Sequence, residues 1–406
     1  MLALFKQKTT RRFYLAWLQS SLGNGASYVA LVLVAYHRMH SAWAISLVLL
    51  ADFLPGIVLG PLFGAFADRY SRRRLAVGAD LLRAVAFLAL AVVSSFAATI
   101  ALALVAGVGT ALFRPAVRSA LPELVDAEQR SPATALYGSI SSFGVTLGPA
   151  ITAMLLFFTS ANWVLAANGV TFLISAALLR SVPLGRGAGS VEAHEGSVWS
   201  STQAGARAAA RIPGVVPLLI IGALSVLAAA AINVAEPLLA TGPLHAGNSG
   251  YSVLVAVYGG AMVLGAILNS RMGSDVGELR RRLLIGVLLN GVGMLISGTA
   301  PDLAVAIVGF AVTGFSNALI VGPEMRLFQE LVTDDMRGRV MGLQDMLENS
   351  AFVAAFLAGG MLLTTVGVRS VFGLGGGALL LVAAAGWWAF QPRRTGEMLE
   401  VVPELG

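Results

Sequence analysis

Long stretches of the chain contain no charged side chain. Two of them run from Phe13 to His37 and from Ser131 to Leu179. A helix that crosses the hydrocarbon core of a bilayer needs about 20 apolar residues, so the first stretch suffices for one crossing and the second for two. Charged residues make up only 12% of the chain, against about 25% in a typical soluble domain. These features predict a helical membrane protein.

The same criterion predicts twelve spans along the whole chain. Two of them are long enough only if Asp80, Arg83 and Arg114 lie in or near the membrane. The first span is too long and unbroken for a cleaved signal peptide. The expected limits of the spans are 13–37, 42–67, 75–95, 97–120, 133–158, 162–180, 213–240, 249–271, 282–300, 303–328, 340–365 and 369–390.

Basic residues are distributed unevenly over the loops between these spans. With the N-terminus in the cytoplasm, nearly all Lys and Arg fall in inside segments, and the outside loops hold only Arg38 and Arg369. This bias follows the positive-inside rule and predicts cytoplasmic N- and C-termini. The net charge of +6 is scattered over separate loops, so nucleic acid is not an expected partner.

A polar stretch divides the chain near its middle. Residues 181–212 are rich in Gly, Ser and Ala, a composition typical of linkers. We therefore predict an N-terminal six-helix bundle over 1–180 and a C-terminal bundle over 213–406 that ends in a short cytoplasmic tail. The second part of the linker is predicted to form a short surface helix around Trp199–Arg211.

An internal repeat supports the two halves. FRPAVRSALPELVDAEQR begins at Phe113 and VGPEMRLFQELVTDDMRGR begins at Val321, so that Pro115 corresponds to Pro323. The offset is about 207 residues, close to half the chain. Repeated six-helix halves are typical of secondary transporters.

The residue types needed for enzyme chemistry are sparse. The chain has no Cys and four His, and no pair of His has the spacing of a metal site. No catalytic triad, P-loop or dinucleotide-binding turn is present. We expect no enzyme activity, no metal and no cofactor.

The loop after span two carries the most specific motif. GPLFGAFADRYSRRR resembles the signature loop of the major facilitator superfamily, G-x-L-x-D-R-x-G-R-R, with Ser71 in place of the second glycine. The second half has a degraded counterpart, in which Ser270 stands where an Asp is expected before Arg271. The matching positions of the first loop are Gly64, Asp68, Arg69, Arg72 and Arg73.

Further motifs are similar to the drug, macrolide and siderophore exporter branch of that superfamily. They are GVTLGPAIT in span five, FRPAVRSALPELV, RGRVMGL and the pair Asp80 and Arg83. The resemblance implies an all-α fold of twelve helices in two pseudo-symmetric six-helix bundles. It also implies alternating access and proton-coupled efflux of a small amphipathic molecule, such as a drug or secondary metabolite, across a bacterial cytoplasmic membrane. We expect a monomer whose partners are this substrate and the lipid bilayer.

The resemblance also implies that the motif loop acts as a cytoplasmic latch. Gly60 and Gly64 share one helix face and would permit close approach of another helix. Asp68 would meet the N-terminus of span eleven, where a carboxylate is favoured by the helix dipole. Arg69, Arg72 and Arg73 would pair with acids of the next loop, Glu123 or Asp126. The alternative, which we favour for Arg74, is a basic loop that serves only membrane topology.

Carboxyl groups within the spans are candidates for proton coupling, since burial of a charge in a membrane is costly. Asp52 and Glu348 are the first candidates, with Asp345 and Glu236 behind them. Asp345 and Glu348 are three residues apart and share a face. The alternatives are a wet cavity wall for Asp52, a cap or a pair with Arg337 or Arg339 for Asp345, and plain exposure to water for Glu236.

Three further charges inside the spans have competing interpretations. Asp80 and Arg83 are three apart in span three, where a structural ion pair is the favoured role. Arg114 could bind an anionic substrate, influence a proton carrier, or hold the end of span four against the motif loop; we favour the last.

Polar, aromatic and methionine residues of the spans are candidates for the substrate cavity. Asn can orient a substrate by hydrogen bonds, and Met and aromatic side chains suit a loose apolar pocket. Packing or lipid contact is the alternative for each. The candidates are Asn24, Tyr28, Phe143, Asn233, Phe315, Asn317 and Met346.

Two other functions remain open at this point. An importer or facilitator of a small nutrient would have the same fold. A membrane enzyme or a sensor without transport is the alternative from a different class, and the absence of a nucleophile or metal motif disfavours it.

Overall fold

The computed structural model describes residues 7–156, 158–185, 205–207, 209–273 and 275–390. The described chain contains twelve long helices, and their bounds follow in chain order. They are α1 Lys8–Met39, α2 Ala42–Arg69, α3 Arg72–Val92, α4 Phe96–Ala120, α5 Arg130–Leu156, α6 Ala161–Arg180, α7 Val215–Thr241, α8 Gly247–Ser270, α9 Val276–Thr299, α10 Leu303–Leu331, α11 Asp334–Thr365 and α12 Val368–Ala389.

These helices confirm the predicted all-helical fold. Eleven of them are long and apolar enough to cross a membrane. The remaining helix, α5, contains the shorter apolar segment Leu147–Leu156. Several helices begin where a side chain satisfies free backbone N–H groups. The Asp275 carboxylate accepts from the N–H groups of Gly277 and Glu278 at the start of α9, and Asp302 accepts from Val305 in α10.

The two halves of the chain repeat one packing pattern. In the first half, α1 packs on α5 and α6, α3 packs on α4 and α6, and α2 packs on α4. In the second half, α7 packs on α11 and α12, α9 on α10 and α12, and α8 on α10. The main contacts between the halves are α2 with α11 and α5 with α8.

The predicted linker lies mostly outside the described residues. Within it, 205–207 and 209–211 are helical, which overlaps the predicted surface helix. The limits of the two bundles and of the linker stay a prediction.

Glycines in α5 allow it to pack closely on α1. A Cβ atom built on Gly148 would lie 2.5 Å from the Cα atom of Gly25, and one built on Gly144 would lie 2.5 Å from the backbone of Ser21. The Thr152 hydroxyl donates to the Ala26 carbonyl across the same contact, at 2.6 Å. The glycines of GVTLGPAIT therefore serve close helix packing.

Candidate functional site

The two halves pack against each other at the end of the molecule opposite the arginine-rich loops. The hydroxyl groups of Tyr36 in α1 and Thr241 in α7 are hydrogen-bonded at 3.0 Å. Phe53 in α2 contacts Phe352 and Phe356 in α11, with ring centroids 5.5 and 5.6 Å apart. These contacts close one end of the interface between the halves.

The same face of α2 is bare toward the arginine-rich end. Gly56, Gly60 and Gly64 lie three, seven and eleven residues after Phe53 and so continue its face. Apart from the glycine's own helix turn, no atom of the described residues lies within 4 Å of a Cβ atom built on any of these three glycines or on Gly342 of α11. Gly60 and Gly64 are therefore not in close contact with another described helix in this conformation, and the close approach that they would permit stays a prediction. A cleft between the halves opens toward the arginine-rich loops.

The motif loop makes one of its expected ion pairs. Arg72 is buried and donates to the carboxylate of Glu123, which lies against Gly185 after α6. Arg69 and Arg73 are exposed. The side chains of Asp68 and of residues 337–339 at the start of α11 lie outside the described residues, so the contact between Asp68 and α11 stays a prediction.

Asp80 and Arg83 form an ion pair inside the N-terminal half. Both side chains have no exposed surface. The Arg83 guanidinium also lies over the rings of Phe113 in α4 and Phe172 in α6, at 4.0 and 4.2 Å from the centroids. The pair holds α3, α4 and α6 together, in agreement with the structural role favoured for it.

Arg114 of α4 is exposed. Its three predicted roles, which are binding of an anionic substrate, influence on a proton carrier and support of the motif loop, stay predictions.

A carboxyl pair in the C-terminal half includes a residue that the sequence analysis missed. The amide nitrogen of Gln344 donates to Glu348 at 2.7 Å and to Glu324 at 3.4 Å. Glu324 is only 8% exposed and lies against Gly222 of α7. Glu324 could have been identified as a candidate from the sequence, since it is an acidic residue inside predicted span ten. Asp345, on the same helix as Glu348, is exposed.

A cavity of about 90 Å³ lies between the halves, mostly within the C-terminal one. Of the predicted substrate residues, Tyr28, Asn233 and Asn317 line it, together with the proton candidate Glu236. Glu236 is half-buried, so its side chain is not simply exposed to water. The sequence analysis missed further polar lining residues, which are Tyr251, Tyr258, Asn290, Ser297 and Thr313.

The other four candidates lie elsewhere. Phe315 packs against Gly265 of α8, and Phe143 and Met346 are 48% and 39% exposed. Asn24 is half-buried in α1, one turn before Tyr28.

Two halves with a repeated packing pattern, in contact through α2 with α11 and α5 with α8, are an architecture typical of secondary transporters. A family comparison gives the particular family. The model of the Major Facilitator Superfamily matches residues 13–214 and 218–403. The chain belongs to this family of membrane transporters, which are not enzymes.

Curated relatives point to the exporter branch of the family. The chain is 24% identical to macrolide efflux protein A of Streptococcus pyogenes over 384 residues, covering 92% of this chain and 94% of that protein. It is 26% identical to the multidrug efflux pump Tap of Mycolicibacterium fortuitum over 377 residues, covering 88% and 90%.

Solved structures agree with the fold. The nucleoside transporter NupG has a TM-score of 0.70 at 13% identity, with 95% of this chain and 100% of that chain covered. A POT family transporter in complex with 5-aminolevulinic acid also has a TM-score of 0.70, at 12% identity, with 92% and 94% covered.

Proposed function

We propose that this transporter exports a small amphipathic molecule from a bacterial cell in exchange for protons that move inward. The names of the curated relatives, macrolide efflux and multidrug efflux, support export. The positive-inside rule assigns the arginine-rich loops and both termini to the cytoplasm. On this assignment the structure is open to the cytoplasm and closed to the outside.

One observation supports the proposed proton coupling. Asp52 directly precedes Phe53 in α2, and Glu348 lies one turn before Phe352 in α11, so both residues lie at the level of the contact between α2 and α11. This contact has to break when the halves rock to the outward-open state. Gain or loss of a proton at these two positions changes the charge at the moving contact. Glu324 joins Glu348 as a carrier because Gln344 contacts both.

The test measures uptake of radiolabelled erythromycin, a macrolide, into proteoliposomes with an acidic lumen. Asp52→Asn combined with Glu348→Gln keeps the side-chain size and removes both protonation sites. We expect at least a tenfold loss of gradient-driven flux, whereas the exposed-loop control Glu128→Gln stays at the wild-type rate. An unchanged flux in the double variant would refute the assignment of the carriers.

The direction of transport separates export from nutrient import. Everted membrane vesicles that are energised to an acidic interior should accumulate the macrolide under the export hypothesis. Accumulation only in right-side-out vesicles would favour the importer.

A further inference from the structure

We propose that the cavity around Glu236 binds the ammonium group of a cationic substrate. This inference rests on the proposed export function and adds to it the charge of the transported molecule. The remainder of an amphipathic substrate would lie in the open cleft. The reasons are the single carboxyl group of the cavity, its aromatic lining, one unpartnered polar atom and its size.

The cavity contains one acidic side chain and no basic one among its described lining residues. Among the described residues that line it, Glu236 is the only one with an ionisable acid or base other than tyrosine. No Lys or Arg lies among these residues to balance the carboxylate. An unbalanced charge in apolar surroundings is unfavourable, and a cation bound at the carboxylate would remove the imbalance.

The lining of the cavity suits an organic cation better than a metal ion. Tyr28, Tyr251 and Tyr258 contribute three aromatic rings, and the faces of such rings attract substituted ammonium groups. A metal ion prefers several oxygen ligands in close geometry, and no group of three metal-binding side chains occurs in the described part of the chain.

One polar atom at the cavity lacks a hydrogen-bond partner within the described ranges. It is the Oδ1 atom of Asn290. Asn290 is only 3% exposed, and an unpaired buried acceptor of this kind is costly. The N–H group of a protonated amine, or the polarised methyl groups around a quaternary nitrogen, would satisfy this oxygen.

The size of the cavity limits what it can hold. Its volume of about 90 Å³ is well below the roughly 300–1,000 Å³ of pockets that enclose a drug-sized ligand. The cavity therefore accepts a small substituted ammonium group and excludes the body of a larger molecule.

A binding experiment with an isosteric pair tests the charge requirement. Choline and 3,3-dimethylbutan-1-ol have the same shape, and carbon replaces the charged nitrogen in the second. We expect calorimetric titration of the purified protein in lipid nanodiscs to give at least tenfold tighter binding of choline. Glu236→Gln should abolish this preference, and Glu128→Gln should keep it. Equal binding of both probes, or a preference that survives Glu236→Gln, would overturn the proposal.

Variants of one ring provide a second measurement that does not depend on Glu236. Tyr258→Phe keeps the aromatic face and should keep choline affinity within about twofold, whereas Tyr258→Leu should weaken it by a factor of three or more. Equal affinities in these two variants would contradict the role of the ring.

The wild-type protein distinguishes this inference from the proposed export function. Absence of macrolide export together with a preference for choline would refute the export function alone. Macrolide export without a preference for choline would refute this inference alone.

Discussion

At the scale of single residues, the charges inside the helices fall into two groups. Asp80 and Arg83 neutralise each other within one half of the molecule, and both side chains are fully buried. Asp52, Glu236, Glu324 and Glu348 form no ion pair within the described ranges. A paired buried charge stabilises the fold, whereas an unpaired carboxyl at an interface is free to exchange a proton or bind a cation.

The paired group leads to a prediction about stability. Arg83→Met leaves Asp80 buried without its partner, and loss of one partner of a buried pair costs about 3–5 kcal/mol in soluble proteins. We expect a clear fall in the melting temperature of the purified protein. The combination Asp80→Asn with Arg83→Met removes both charges and should recover part of the loss.

Transport per folded molecule is the control for this prediction. It should stay close to the wild-type value in the double variant, because the pair lies between α3, α4 and α6. A single variant as stable as the wild type would show that the pair does not support the fold.

At the scale of helices, glycines serve two different purposes. In α5 they permit a close contact with α1, where the two backbones nearly touch. In α2, Gly56, Gly60 and Gly64 face open space in this conformation. The resemblance of the motif loop to the family signature implies that the second set is used when the cleft closes.

Valine at one glycine of each kind distinguishes the two purposes. Gly148→Val forces a side chain into the backbone of Gly25, and overpacking of this type costs about 1–3 kcal/mol, so less folded protein should be recovered by size-exclusion chromatography. Gly64→Val has room for its side chain and should fold normally. Its transport rate should nevertheless fall at least tenfold, because the added side chain blocks approach of α11. Normal transport in Gly64→Val would contradict the closure of α2 on α11.

At the scale of the whole molecule, the repeated halves act as two bodies joined at one end. Each half has its own set of internal helix contacts. The contacts across the closed end involve Tyr36 with Thr241, and Phe53 with two phenylalanines of α11. Alternating access requires these contacts to separate while the bare faces of α2 and α11 come together.

A reversible cross-link across the closed end tests this motion. A Cβ atom built on Gly360 would lie 2.8 Å from the Ser46 hydroxyl oxygen. Two cysteine side chains at these positions would therefore be close enough for a disulfide, in which the Cβ atoms are about 3.5–4.5 Å apart. The chain has no native Cys, so Ser46→Cys with Gly360→Cys introduces the only pair. We expect oxidation to stop transport and dithiothreitol to restore it.

The two single-cysteine variants are the matched controls and should respond to neither reagent. Full transport by the oxidised double variant, with the disulfide verified by mass spectrometry, would show that the closed end need not open.

Several features of the candidate site could be predicted from the sequence because they depend on local chemistry. An acidic residue within an apolar span is visible in the sequence, as for Asp52, Glu236 and Glu348. Tyr251, Tyr258 and Asn290 were missed because tyrosine and asparagine in a span more often serve packing. The bare face at Gly64 could not be foreseen, since one sequence is compatible with both open and closed arrangements of the same helices.

The sequence by itself determined that the chain spans a membrane, where its helices lie and which loops share one side. These properties follow from the fixed thickness of the hydrocarbon core and from the cost of placing charge within it. Only the tertiary structure decided which side chains meet. Tyr28 and Glu236 are distant in the chain and line one cavity, because the rotation and spacing of packed helices depend on contacts such as those of Gly148 with Gly25.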